Sequence, residues 1–203
     1  MALIIALTAF TGCGSIEFTE NAVIEAVDIS DIPEFSGDAY IAVNGNAPFF
    51  TEEDITDESF EYYGDLDYLD RCTTTVASIG RDLMPTEKRG NIGMIKPTGW
   101  QVAKYDFVDG KYLYNRCHLI GFQLTGENAN ERNLITGTRY LNIEGMLPFE
   151  NMVADYVKET GNHVMYRVTP IFEGDNLIAK GVLMEGYSVE DEGDGIQIGR
   201  AHV

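Results

Sequence analysis

Two stretches near the middle of the chain restrict what it can fold into more than any other feature. The first is Tyr112-Leu-Tyr-Asn-Arg-Cys-His118, which follows the turn pair Asp109-Gly110. Aromatic and apolar residues after an Asp-Gly pair are typical of a hairpin, and its first strand is expected over residues 99–107. The second stretch, residues 148–158, has its apolar residues on one helical face. We therefore predict a hairpin, a loop and a helix in succession.

Polar residues that could act as a base or as metal ligands lie near the ends of these predicted elements. His118 ends the predicted second strand, and Asn133, Asn142 and Glu150 follow at intervals of fifteen, nine and eight residues. A histidine titrates near neutral pH, so it can take a proton from water. Carboxylate and amide oxygens are ligands that Mg²⁺ accepts, and Mg²⁺ keeps several waters of its own. We predict that these four residues build one site around a metal ion.

The motif that ends in His118 resembles a known one. Asn115-Arg-Cys-His118 is similar to the Asp-Arg-Gly-His motif of the bacterial DNA/RNA non-specific endonucleases, which are members of the ββα-metal superfamily. The spacing of Asn133, Asn142 and Glu150 is similar to the Asn, Asn, Glu series of the same family. Several separated motifs therefore agree in order and in spacing.

The likeness covers most of the chain, from about Tyr40 to about Tyr187. It includes residues 83–90 and 133–150, which are similar to the secreted and DNA-uptake nucleases of the family. The resemblance implies an α+β fold, with a mainly antiparallel sheet, flanking helices and a ββα-metal finger that carries the active site. It also implies a metal-dependent, sugar-non-specific endonuclease that hydrolyses phosphodiester bonds of DNA, with RNA as a further candidate substrate.

A role for each site residue follows from the same resemblance. The implied catalytic residues are His118 as general base, Arg116, Asn133 and Glu150. Asn142 is the implied ligand of Mg²⁺, for which Mn²⁺ is the alternative, and Glu150 reaches the ion through water. For Asn133, orientation of the loop is the alternative to direct work in catalysis. A guanidinium matches phosphate oxygens through paired hydrogen bonds. Substrate contacts are therefore predicted for Arg89, Arg116 and Arg139, and for Arg89 an exposed loop charge is the alternative.

Two residues depart from the family motif. Asn115 stands in place of Asp, so a negative charge that could raise the basicity of the histidine is missing. Cys117 stands in place of Gly. Neighbouring side chains of a strand point to opposite faces, so Cys117 and His118 are poorly arranged as a catalytic pair, and a Cys-His hydrolase is the weaker alternative. Burial in the core or a disulfide with Cys72 are the other roles for Cys117.

Charge is distributed unevenly along the chain. Residues 1–70 contain sixteen acidic residues and no Lys or Arg, whereas residues 71–171 contain ten acidic and twelve basic residues. The net charge of the whole chain is −19, which argues against tight, non-specific binding to nucleic acid. The predicted site lies in the part that is not acidic. Weak and salt-sensitive substrate binding is expected.

The first fifteen residues are typical of an export signal. An apolar, uncharged run ends in Phe10-Thr-Gly-Cys13, which places Cys13 at the position of an acylated lipoprotein cysteine, although no basic residue precedes the run. A buried strand or helix is the alternative. We expect an exported protein, either secreted or held at the cell surface, whose contact with the membrane is through the lipid anchor alone. No obligate protein partner is indicated.

The remaining boundaries follow from composition. Residues 16–38 form a predicted acidic linker and residues 39–203 a nuclease domain. Residues 199–203 match no element, so the domain is expected to be truncated at its C-terminal strand. The main functional alternative is a surface lipoprotein that binds nucleic acid or another ligand without cutting it.

Overall fold

A computed structural model describes Ile32 and residues 37–202. The predicted export signal with Cys13, and nearly all of the acidic linker, lie outside these residues. The described part contains eight strands: β1 (Ile41–Ala42), β2 (Phe60–Tyr63), β3 (Thr75–Ile79), β4 (Tyr114–His118), β5 (Leu134–Thr138), β6 (Val164–Ile171), β7 (Gly181–Ser188) and β8 (Gln197–His202). Its helical segments are α1 (Phe122–Thr125), a π-helical segment (Leu141–Met146), α2 (Leu147–Thr160) and 3₁₀ turns at Asn44–Asn46 and Glu131–Asn133.

Six strands form an antiparallel sheet in the order β1-β8-β7-β6-β3-β2. The sequence leaves residues 66–79 ambiguous between helix and strand, and only β3 at their end is extended. The turn before β3 is held by Asp67, whose carboxylate accepts hydrogen bonds from the backbone and the side chain of Arg71. This contact keeps the polar half of the segment out of the sheet.

The prediction that residues 199–203 match no element is wrong for residues 199–202, which belong to β8. Strand β8 lies between β1 and β7, with Ala201 opposite both Ile41 and Leu183. Gly and Ala have low strand propensity, so the local sequence around Gly199 and Ala201 does not predict a strand. Pairing with two neighbours overrides that local preference, and Ala201 is fully buried. Residues 199–202 therefore belong to an interior strand of the sheet.

The two strands of the finger differ from the predicted hairpin. Strand β4 pairs with β5, so that His118 lies opposite Leu134. Residues 99–107 form no strand, and a single bridge joins Lys104 to Tyr112. The Asp109-Gly110 turn is present, but it closes an exposed loop rather than a sheet. The predicted first strand has side chains such as Phe107 in solvent, so it lacks the buried face that a strand needs.

Helix α2 forms where the sequence predicts it and closes the finger. Pro148 stands in its first turn, where a missing N–H is tolerated, and Gly161 ends it with a left-handed backbone at φ 80°. Val153 and Val157 face inward and join a core that also contains Tyr166 of the sheet. The core thus lies between the six-stranded sheet and the finger. No described helix is long and apolar enough to cross a membrane.

Candidate active site

An open cleft of about 820 Å³ lies along the finger, beside the start of α2. Six of the seven predicted site residues in the described part line it: Arg89, Arg116, His118, Arg139, Asn142 and Glu150. The seventh, Asn133, does not reach it. The finger therefore brings together residues that are up to 61 positions apart in the sequence, from Arg89 to Glu150.

Strand alternation decides which side chains of the motif reach the cleft. Arg116 and His118 line it, whereas Cys117 between them is fully buried in the core. Burial raises the pKa of the Cys117 thiol to about 12. Cys117 is therefore a core residue, and the alternative of a Cys-His hydrolase is wrong. The disulfide alternative is not realised either, because Cys72 and Cys117 are both free thiols.

His118 is the last residue of β4, and both of its ring nitrogens have partners. Nε2 lies 2.8 Å from the carbonyl oxygen of Asn128, which can only accept, so Nε2 carries the proton. Nδ1 is then the acceptor, and it lies 3.2 Å from Nη2 of Arg89. Burial, together with the nearby charge of Arg89, lowers the pKa of His118 to about 4. The imidazole is neutral at neutral pH, with its basic nitrogen toward Arg89.

Glu150 lies in the first turn of α2 and is half-buried. Burial raises the pKa of its carboxyl group to about 7, although Arg89 and a hydrogen bond from Gln123 act in the opposite direction. Among the described residues it has no ion-pair partner. Gly121 packs directly over it, since a Cβ at position 121 would lie 2.6 Å from Oε2 of Glu150. Only glycine allows the loop after β4 to run this close to the carboxylate.

Asn142 lies in the π-helical segment that leads into α2. Such segments widen a helix by one residue per turn and occur often at functional sites. The segment rests on β8, because a Cβ at Gly145 would lie 2.5 Å from Nδ1 of His202. The side-chain amide of Asn142 lines the cleft and forms no hydrogen bond with any residue in the described part. Its oxygen is available to a ligand.

The side-chain oxygens that face the cleft could act as ligands of a divalent metal ion. They are the amide of Asn142, which has no hydrogen bond within the described part, and the carboxyl group of Glu150. Nowhere in residues 37–202 do three or more His, Cys, Asp or Glu side chains come together as a metal site. Zinc sites usually take three or four protein ligands, whereas Mg²⁺ keeps several waters and needs one or two protein oxygens. The residues present therefore offer the oxygen ligands that a largely hydrated divalent ion accepts.

Asn133 lies beneath the cleft and fixes the loop after β4 through its side-chain hydrogen bonds. It is fully buried, its Oδ1 accepts from the backbone N–H of Ile120 at 2.8 Å, and its Nδ2 donates to the carbonyl of Ile120 at 3.0 Å. The backbone N–H of Leu119 also donates to the carbonyl of Asn133. A side chain in this position cannot touch a substrate, so its direct catalytic role is corrected to the positioning of the loop between His118 and Gly121.

Arg116 forms hydrogen bonds with the loop that precedes the finger. Its Nε donates to the carbonyl of Ile95 at 2.5 Å and its Nη2 to that of Gly93 at 3.1 Å. Its guanidinium also stacks on Trp100, with Cζ 3.7 Å from the ring centroid. Trp100 lines the cleft and is not part of the core. In this structure Arg116 anchors the 93–100 loop.

The two other arginines differ in how their charge is balanced. Arg139 donates twice to Oδ2 of Asp109, at 3.0 and 2.6 Å, so much of its charge is compensated. Arg89 forms no ion pair with a carboxylate in the described part, and its one side-chain hydrogen bond there is to His118. Arg89 is therefore the cleft arginine with most charge available to a phosphate group.

Three contributors to the site were not predicted. They are the backbone carbonyl of Asn128, the bare backbone of Gly121 and the amide of Gln123. A backbone carbonyl carries no signal in residue type. Gly121 follows the apolar pair Leu119-Ile120, and a glycine there is consistent with a close backbone approach, which could have been suspected from the sequence.

The fold and the cleft define an α+β protein with a ββα finger, and comparison with known proteins assigns its family. The family profile described as DNA/RNA non-specific endonuclease matches residues 51–190. The chain belongs to that family, and its fold is the ββα-metal nuclease fold. No curated protein sequence matches the chain.

Solved structures share the fold at low sequence identity. NucA from Streptococcus agalactiae with magnesium ion bound is 23% identical, with a TM-score of 0.66 over 77% of this chain and 76% of that chain. NucA with no metal bound is 22% identical, with a TM-score of 0.68 over 92% and 90%. Sda1 nuclease with bound zinc ion is 20% identical, with a TM-score of 0.64 over 82% and 89%.

Proposed function

We propose that this nuclease hydrolyses phosphodiester bonds in DNA without sugar specificity, with a divalent metal ion as cofactor and His118 as general base. One observation carries the proposal. A histidine held neutral by burial faces the same cleft as an amide oxygen without a hydrogen bond and a carboxyl group without an ion pair, both within the described part. RNA is the second substrate to test, because the contacts invoked are to phosphate and not to sugar.

His118 is suited to take a proton from water. Its Nε2–H is held by the carbonyl of Asn128, so the lone pair on Nδ1 is the one available. An orienting partner on one nitrogen sets the tautomer and leaves the other to act as the base. As the oxygen of water bonds to phosphorus, its proton passes to Nδ1. The bond from phosphorus to the departing oxygen breaks, and that oxygen takes a proton from a solvent water and leaves as an alcohol.

Arg89 links substrate binding to the base. In the absence of substrate its Nη2 lies 3.2 Å from Nδ1 of His118 and occupies the lone pair that the reaction needs. A phosphate diester offers this guanidinium a charged partner with two acceptor oxygens, which is a stronger match than a neutral imidazole. Arg89 would move to the phosphate and leave Nδ1 free for water. Substrate binding would thus free the base that activates the attacking water.

Asn142 and Glu150 would hold the ion, Asn142 through its amide oxygen and Glu150 through water. Mg²⁺ is the proposed ion and Mn²⁺ the substitute. When bound, the ion would supply charge to the phosphoryl oxygens and to the departing oxygen. Glu150 would remain ionised beside this charge, because a nearby cation favours the charged form of a carboxyl group.

We also propose that the protein is exported and attached to the cell surface through a lipid on Cys13. The support is the apolar run that ends at Cys13 and the likeness to structures described as an extracellular endonuclease and an extracellular nuclease. Metabolic labelling with a tritiated fatty acid tests it. Label should appear in the full chain and be absent from Cys13→Ser, whereas equal labelling of both would exclude this anchor.

Plasmid digestion with purified protein tests the catalytic proposal. Supercoiled DNA should be nicked with Mg²⁺, and EDTA should stop the reaction. Retarded migration of uncut plasmid under both conditions would instead favour the surface protein that binds nucleic acid without cutting it. A parallel digestion of RNA decides whether the sugar matters.

A further inference from the structure

Exposed aromatic residues are concentrated beside the cleft. Of the eleven large hydrophobic residues that are exposed in the described part, five lie within residues 94–112. Three of these are aromatic: Tyr105 is 45% exposed, Phe107 is 84% exposed and Tyr112 is 47% exposed. Single exposed apolar residues are ordinary, but a group of them marks a surface that meets a partner.

The backbone presents these rings in a defined arrangement. Three backbone hydrogen bonds hold the turn. The N–H of Tyr105 donates to the carbonyl of Lys111, the N–H of Lys111 to the carbonyl of Val108, and the N–H of Leu113 to the carbonyl of Ala103. The rings of Tyr105 and Phe107 have their centroids 5.2 Å apart. Asp109 at the turn is tied to Arg139 at the base of the finger. The turn is therefore braced against the finger, and its aromatic residues point outward without a core to enter.

The turn that carries Tyr105, Phe107 and Tyr112 is continuous with the cleft. Tyr112 lines the cleft itself. Phe107 lines a neighbouring hollow of about 490 Å³, whose other walls include Tyr140. Arg139 and Ile143 belong to both the cleft and the hollow. A chain that leaves the cleft past Arg139 would reach Phe107 directly.

The local charge also suits a polyanion. Residues 91–116 contain four basic residues and two acidic ones, although the whole chain carries a net charge of −19. The ammonium group of Lys104 lies 4.5 Å from the centroid of the Tyr112 ring. Positive charge interleaved with exposed aromatic rings is the arrangement that binds single-stranded nucleic acid, because every base has a face that can stack.

We propose that Tyr105, Phe107 and Tyr112 form a stacking platform for unpaired bases next to the scissile phosphate. This inference rests on the proposed function and narrows its substrate to single strands or locally opened duplex. In an intact duplex the base faces are stacked on one another, so the platform cannot reach them without unpairing. The enzyme should therefore prefer single strands.

Binding is measured first, in EDTA, so that cleavage plays no part. The anisotropy of a labelled single-stranded oligonucleotide reports affinity, and a hairpin duplex of the same composition serves as comparison. Phe107→Ala and Tyr105→Ala should each weaken single-strand binding by about fivefold or more and change duplex binding little. Tyr68→Ala is the matched control, because Tyr68 is 80% exposed and lies outside the cleft. It should bind like the parent.

Cleavage with Mg²⁺ gives a second readout. Phe107→Ala should raise KM for single-stranded DNA and leave the cleavage of methyl p-nitrophenyl phosphate unchanged, because that ester is too short to extend beyond the cleft. Equal binding of single strand and duplex by the parent would overturn the platform, as would unchanged binding by both variants. Loss of binding to phosphatidylglycerol vesicles in Phe107→Ala, with oligonucleotide binding intact, would assign the surface to lipid and also overturn it. Failure of the parent to cut any substrate would count against the proposed function alone.

Discussion

Two glutamates with enclosed carboxyl groups show how differently the sheet and the finger treat charge. Glu185 of β7 is fully buried, and both of its oxygens accept from Arg167 of β6, at 2.6 and 2.7 Å. One oxygen also accepts from the backbone N–H of Phe49. Glu150 of the finger has no ion pair within the described part, and its pKa is raised to about 7. The sheet neutralises its buried charge internally, whereas the finger leaves its charge uncompensated.

The difference separates stability from function within one small protein. A buried pair that is complete needs nothing from outside, and breaking it destabilises the fold. A half-buried carboxyl group without an ion-pair partner favours a ligand that supplies positive charge, such as the metal ion proposed above. Perturbed titratable groups gathered in a cleft are typical of functional sites. Here they are His118 and Glu150, both in the finger.

The largest effect is expected at Glu185. Glu185→Ala leaves Arg167 buried without its partner, and the free energy of unfolding should fall by about 3–5 kcal/mol. Urea denaturation measures the loss, and Glu173→Ala, at an exposed position, is the control. A double variant with Arg167→Met and Glu185→Leu should recover most of the stability. A loss below about 1 kcal/mol in Glu185→Ala would mean that the sheet does not depend on this pair.

Substitution of Glu150 should raise the free energy of unfolding, whereas substitution of Glu185 lowers it. Its folded pKa of about 7 lies above the ordinary 4.5, so the fold favours the protonated form, and stability is lost as the pH rises from about 4.5 to 7. In EDTA, Glu150→Gln should therefore be more stable than the parent by about 3 kcal/mol at pH 8 and no more stable at pH 4. Urea denaturation at the two pH values measures this. A Glu150→Gln protein that is less stable at pH 8 would show that the carboxylate is compensated, as in the sheet.

His118→Ala should reduce cleavage at least about a hundredfold, the usual scale for loss of a general base, with the fold intact. The physical reason is the neutral Nδ1 that faces the cleft. Nicking rates measure the effect, and circular dichroism checks the fold. His163→Ala is the matched control, because His163 is paired with Glu190 and lies outside the cleft. If folded His118→Ala cut at the parental rate, water would not be activated by this residue.

The smallest effect is expected at Asn142, because a neutral amide contributes one dipole to an ion that is mostly hydrated. Asn142→Ala should need about tenfold more Mg²⁺, or higher still, for half-maximal nicking, equivalent to about 1.4 kcal/mol of metal affinity. Excess Mg²⁺ should restore part of the rate. Asn142→Asp should bind the ion more tightly without cutting faster, because a tighter ground state is not a better transition state. An unchanged Mg²⁺ titration in Asn142→Ala would remove it from the metal site.

The positions of the polar residues in the finger were predictable from residue type and spacing. His118 at a strand end and Glu150 in the first turn of a helix follow from local patterns that the structure reproduces. The amphipathic run of α2 buries the expected face. Such features depend on neighbours within one or two helical turns, and the sequence shows those neighbours directly.

Other features depended on contacts that no local pattern records. Strand β4 pairs with β5 across an intervening loop and helix, and β8 is a strand only because β1 and β7 flank it. Arg116 lines the cleft as expected, but carbonyl groups of a distant loop also accept hydrogen bonds from its Nε and Nη2. Pairing energy between segments remote in sequence outweighed the local propensities in each case.

The sequence by itself determined which side chains are available for catalysis and roughly where each element lies. The tertiary structure decided their electrical state. Burial lowers the pKa of His118 and raises that of Glu150, and the backbone carbonyl of Asn128 selects the tautomer of the imidazole. Desolvation depends on every atom packed around a group, and those atoms come from all parts of the chain. For that reason the reactive state of these residues exists only in the folded protein.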